Sequence, residues 1–147
     1  MMIWYTYKSI RNEGNKNGGG GTELSKILNE NGVDTGISKT RQEIHQNGLW
    51  HRAIIVTIIN NENKILIQKR SKNKEKFPGL WDLSVAGHVP FGLDSVACAA
   101  SEVMEEIGYM LPKAVEVKDF RFMTSFRNMV IVSDNFFWKS ILWLFYL

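Results

Sequence analysis

The stretch from Gly87 to Tyr109, GHVPFGLDSVACAASEVMEEIGY, limits most tightly what this chain can fold into. Its second half reads as one amphipathic helix. Asp94 or Ser95 is suited to cap the start, because a short polar side chain accepts hydrogen bonds from the free backbone donors there. Gly108 is placed to end it. Val96, Ala99, Ala100, Val103 and Ile107 recur at helical spacing and form an apolar stripe. Glu102, Glu105 and Glu106 lie beside that stripe at i, i+3 and i+4, on one neighbouring face. Three carboxylates so close repel one another unless something positive lies between them. An acidic helix face is ordinarily just a solvated surface. Here the glycine-bearing lead-in and the absence of basic residues within the helix favour a cation instead.

The rest of the chain reads as a framework for that stretch. Its 147 residues suit one domain with a core large enough to stand alone. A hydrophobic content of 44% and a charged content of 22% are ordinary for a globular protein, and no signal-peptide pattern opens the chain. The net charge of +3 accommodates a small anionic ligand but is too weak to argue for a nucleic-acid polymer. The single cysteine, Cys98, excludes an intrachain disulfide and suits a reducing cytoplasm; it reads as a small packed helix residue. Residues 1–22 are taken as an N-terminal extension with a glycine-rich linker at 14–21, and residues 23–147 as the domain. Strands are expected at 24–29, 51–60, 64–70 and 81–86, then at 115–122 and 129–132, with turns at 30–32 and 61–63 and a short helix at 40–46. The last twelve residues, FFWKSILWLFYL, are too short to span a bilayer, which takes about 20 apolar residues. They must pack on the sheet, pair with a second copy as a homodimer, or drive aggregation. Packing of 136–142 as a final strand or short helix is expected, with the last few residues held less well.

The 87–109 stretch resembles the Nudix box, G-x5-E-x7-R-E-U-x-E-E-x-G-U, where U is a bulky apolar residue. Gly87, Glu102, Val103, Glu105, Glu106, Gly108 and Tyr109 match in register. Two positions depart: the first glutamate is Leu93 and the arginine is Ser101. GLWHRA at 48–53, QKR at 68–70 and FPGLWDLSVAGHV at 77–89 resemble the Nudix branch that is similar to type 1 isopentenyl-diphosphate isomerases. The likeness runs from about residue 23 to 130 and fades after about Asp134.

The resemblance implies an α+β fold, a mixed β-sheet sandwiched between helices. It implies a Mg²⁺-dependent hydrolase (Mn²⁺ the alternative ion) that cleaves a diphosphate linkage in a nucleoside di- or triphosphate or a related compound. By resemblance Glu102, Glu105 and Glu106 are catalytic and ligate metal together with Gly87. Arg70, Lys69 and His88 are expected to contact substrate, with Lys72, Lys74 and Lys76 extending the basic stretch. The expected partner is a small diphosphate, with no nucleic-acid polymer and no membrane. The alternatives are an isomerase-like protein and an inactive nucleotide-binding module. In the related isomerases histidines at positions matching His51 and His88 bind metal, and a catalytic cysteine lies two residues before the second. That position here is Ala86. His88 is therefore read as a loop residue near the metal site, and His51 as a structural hydrogen-bonder. His45 carries no signal.

Overall fold

The computed structural model describes residues 3–8, 23–73, 77–107, 116–133 and 136–147. The expected linker at 14–21, Lys74, Lys76, Gly108, Tyr109, Val115 and Asp134 lie outside the described residues.

The strand at 51–60 is where the architecture converges. Observed as β4 (Trp50–Thr57), it is rich in β-branched residues, and Ala53, Ile54 and Val56 are buried. Such a strand needs covering on both faces. It is hydrogen-bonded along both edges. On one edge its start pairs antiparallel with β2 (Leu24–Leu28), and Ala53–Val56 then pair antiparallel with β7 (Val85–His88). On the other edge His51–Thr57 pair parallel with β9 (Phe136–Tyr146). β3 (Asp34–Thr40) adds to β2, and β8 (Arg121–Ser133) adds to β9, completing a mixed six-stranded sheet. A second, three-stranded sheet joins β1 (Ile3–Lys8), β5 (Ile65–Lys69) and β6 (Trp81–Asp82).

One helix covers each face of the larger sheet. α2 (Ser95–Ile107) buries Cys98, Ala99, Val103 and Ile107 against Ile54, Val56, Val85 and Phe145. The side-chain carboxylate of Asp94 accepts from the Ala97 amide at 2.8 Å, so Asp94 is the cap. On the opposite face α1 (Arg41–Gln46) buries Ile44 and His45. Thr40 and Glu43 cap it reciprocally, each accepting from the other's backbone amide. The expected sandwich of a mixed sheet between helices is therefore present.

Several elements differ from the sequence reading. The strand expected at 81–86 is two strands, because Ser84 turns inward: its hydroxyl accepts from the Ile58 amide at 3.0 Å and donates to the Leu66 carbonyl at 2.6 Å. The strand expected to start at 115 begins instead at Arg121, after a 3-10 turn at Val117–Asp119 closed by the Asp119 carboxylate on the Glu116 amide. It then runs unbroken through the strand expected at 129–132. β3 carries no strand signal in its sequence, because DTGISKT is an exposed edge with weak apolar periodicity.

The tail is the largest difference. Residues 136–146 form a central strand, and its final residues are its best-held part. Ser140–Tyr146 carry the whole pairing with β4, and Phe145 is 3% exposed. Leu147 closes the strand at both backbone groups, donating to the Thr57 carbonyl and accepting from the Ile59 amide. A Phe145→Ala substitution should therefore cost about 3–5 kcal/mol, read as a fall in the urea midpoint. Met129→Ala, on an exposed β8 side chain, should stay within about 0.5 kcal/mol. Equal effects of the two would mean that the tail is not core.

Candidate functional site

Alternation along β7 separates the site residues onto two faces of the sheet. Successive side chains on a strand point to opposite sides. Gly87 pairs with Ile54 and faces α2, whereas His88 pairs with Ala53 and faces α1.

On the α2 face, Gly87 and the Glu102 side chain lie directly against each other. A Cβ there would stand 2.7 Å from both Cδ and Oε1 of Glu102. The missing side chain is the space in which the Glu102 carboxylate lies against the strand. Glu106, one helical turn on, accepts from Gln68 Nε2 at 3.2 Å, and the same amide group donates to the Ser84 carbonyl. Glu102 and Glu106 are half-buried, while Glu105 is exposed and accepts from the Ser101 hydroxyl at 3.1 Å. The three glutamates thus divide into an inward pair and an outward single. Carboxylate oxygens of this kind suit a hard divalent cation that keeps several waters.

The basic residues are engaged nearby. Arg70 forms a 2.8 Å ion pair with Asp82, and Lys69 lies 5.5 Å over the Trp81 ring. A phosphate contact by Arg70 would be shared with Asp82. Leu93 is an exposed residue in the loop before α2.

On the α1 face, His45, His51 and His88 form a buried cluster with ligand atoms all within 4.8 Å of one another. His88 lies on strand β7 rather than in a loop. Its ring stacks on His51 at 4.8 Å, with the planes 12° apart, and His45 stands edge-on to both. His45 and His88 bring their Nε2 atoms to 3.1 Å, so one donates to the other. His51 Nδ1 is 3.2 Å from the Leu49 carbonyl, which fixes the proton on that nitrogen. Its Nε2 is then a buried lone pair with no hydrogen-bond partner. An orphaned acceptor costs free energy in the interior, and a backbone-anchored imidazole presenting its second nitrogen is how histidine usually meets a metal. The cluster fits a divalent ion of the kind that prefers nitrogen. Sequence reasoning missed His45. The one available signal was its place six residues before His51, across a capped helix and a turn.

Burial disfavours the charged form of His51 and His88. It pushes the His51 imidazole down from 6.5 to about 4, with His45 adding to the effect. Burial and then His51 hold His88 well below its ordinary value. Below pH 6.5 the unfolded chain takes up protons that the folded one refuses, so stability falls with pH until the folded His51 titrates near 4. With chelator present, the denaturation midpoint should drop as pH falls from 6.5 towards 4, and His51→Gln should flatten that slope. An equal slope in the variant would sink this account.

Similarity to known proteins bears on what the arrangement is for. The sequence matches the NUDIX domain family over residues 49–142. It is 42% identical over 98 residues to Nudix hydrolase 3 of Arabidopsis thaliana, covering 66% of this chain and 13% of that protein. It is 45% identical over 85 residues to an uncharacterized Nudix hydrolase of Listeria monocytogenes, covering 58% and 50%. It is also 35% identical over 72 residues to an isopentenyl-diphosphate Delta-isomerase of Serratia proteamaculans, covering 49% and 40%. The match spans half or less of each of these relatives. Among solved structures, DR0079 from Deinococcus radiodurans superposes with a TM-score of 0.64 at 20% identity, covering 85% of this chain and 71% of that one, which supports the fold. Among the described residues no helix is long and apolar enough to cross a membrane. The degenerate box on its helix, the mixed sheet between helices and the match over 49–142 make this chain a member of the Nudix family.

Proposed function

We propose that this chain is a Mg²⁺-dependent hydrolase, with Mn²⁺ as the alternative ion, that cleaves a diphosphate linkage in a nucleoside di- or triphosphate or a related compound. The observation that carries the proposal is the inward pair, with Glu102 seated against the bare backbone of Gly87 and Glu106 held by Gln68. Glu102, Glu106 and the Gly87 carbonyl would hold the ion, with Glu105 joining from the outer side. The bound ion would neutralise phosphate oxygens and acidify a water. Gln68 keeps Glu106 at a fixed height above the sheet, so its carboxylate is placed before substrate arrives. Glu102 or Glu106 would take the proton of the attacking water. Arg70 and Lys69 border β5 and would meet the phosphates, with Asp82 holding the guanidinium in line. The partner in this reading is a small diphosphate in a reducing cytoplasm, not a polymer or a membrane.

The histidine cluster favours a second reading, an isomerase-like protein with a nitrogen-liganded divalent ion on the α1 face. Ala86 offers a methyl group where the resemblance implies a thiol. Cys98 cannot replace it. Its S–H is directed at the His88 carbonyl, 3.4 Å away, and burial pushes the thiol up to about 12, so it stays protonated. The hydrolase reading therefore ranks first. Detection of dimethylallyl diphosphate formed by the unaltered protein would reverse the order.

The test is phosphate or pyrophosphate release from a panel of nucleotides and nucleotide conjugates, with and without Mg²⁺. Glu106→Gln should abolish metal-dependent turnover while leaving the circular dichroism spectrum unchanged; undiminished turnover would remove Glu106 from the reaction. Ser101→Arg replaces one hydroxyl donor on Glu105 with a charged fork. It should raise kcat/KM about tenfold or more if orientation of the glutamates is what limits the rate. Nucleotide binding without release under any condition would mark an inactive binding module.

A further inference from the structure

The histidine cluster has a fourth aromatic neighbour supplied by the tail. Trp138 of β9 lies with its ring centre 4.9 Å from His45, 5.1 Å from His88 and 6.4 Å from His51. The indole is itself fixed. Its Nε1–H donates to the Ser140 hydroxyl at 3.2 Å, and Ser140 is fully buried and in register with His51 across the β4–β9 pairing. One strand register therefore sets both the indole and the histidine beneath it.

The imidazoles of His45 and His88 share a hydrogen bond, and the Nε2 of His51 has no hydrogen-bond partner. The indole stands against both rings, tilted 36° to His45 and 44° to His88, and this packing restricts their rotation. We infer that Trp138 is a positioning residue: it preorganises His45 and His88, with His51, to receive a divalent ion of the Zn²⁺ or Co²⁺ type. This rests on the reading of the cluster as a metal site. Ligands locked before binding lose less freedom on binding, so the contribution appears as affinity.

The test uses Co²⁺ as the probe on full-length protein without a histidine tag. Unaltered protein should bind one Co²⁺ at the cluster, with visible absorption bands and partial quenching of tryptophan emission. His51→Ala should abolish both. Trp138→Leu should weaken Co²⁺ binding about 10–100-fold, as the loss of a ligand-orienting neighbour commonly does. Trp138→Phe should restore affinity to within about threefold, because it returns an aromatic wall. The phenylalanine variant should also lose most of the Co²⁺-dependent quenching, a signal that does not depend on how well the leucine variant folds. Co²⁺ binding that is absent, or indifferent to His51, would overturn the metal reading and the role of Trp138 together. His51-dependent binding of equal strength in the Leu, Phe and unaltered proteins would overturn the role of Trp138 alone.

Discussion

β4 is hydrogen-bonded on both edges and buried on both faces, and β2, β7 and β9 take their places from it. Its pairing with β7 sets Gly87 opposite Ile54 and His88 opposite Ala53. A slip of one residue would exchange the two faces. Glu102 would then meet an imidazole, and the space now left by the glycine would open towards α1. The apolar load on Ile54, Val56 and Val85 prevents that slip, since all three are completely buried under α2. Core packing and site geometry are thus one constraint.

The same alternation keeps two unlike donor sets apart. Oxygen donors gather on the α2 face, half-exposed and acidic. Nitrogen donors gather on the α1 face, largely buried. Burial holds His51 and His88 below their ordinary values. The two faces of one sheet therefore offer unlike ligand atoms, oxygen on one and nitrogen on the other. Small polar bridges connect the core to these sites. Ser84 joins Ile58 to Leu66, and Gln68 carries the connection from Ser84 to Glu106.

The tail brings both faces to completion. Phe145 fills the α2 core, where its ring packs edge-on against Phe120. Trp138, Ser140 and Leu142 lie on the α1 face with His51 and Ala53. One parallel strand between β4 and β8 thus supplies packing to one side and an aromatic wall to the other.

Local chemistry made a large part of this legible. The spacing of Val96, Ala99, Val103 and Ile107 dictates the long helix, and Asp94 dictates where it starts. The β-branched run at 51–60 dictates a buried strand, and Asn61–Asn63 a turn. These follow from backbone preference and periodicity, which act over a few residues. The box glutamates were legible as a group from helical spacing alone, but their division into Glu102 and Glu106 inward and Glu105 outward depends on where Gly87 and Gln68 lie. Ser84 splits a strand because Ile58 and Leu66 converge on its hydroxyl from elsewhere in the chain. Apolar composition showed that the tail must be covered, while its central place and its parallel pairing with β4 came from long-range register. His45, His51 and His88 come from a helix and two strands, and no local pattern joins them. Only the crossing of α1 over the β4–β7 pairing brings their nitrogens together, because a ligand set is defined by distance in space and not by distance along the chain.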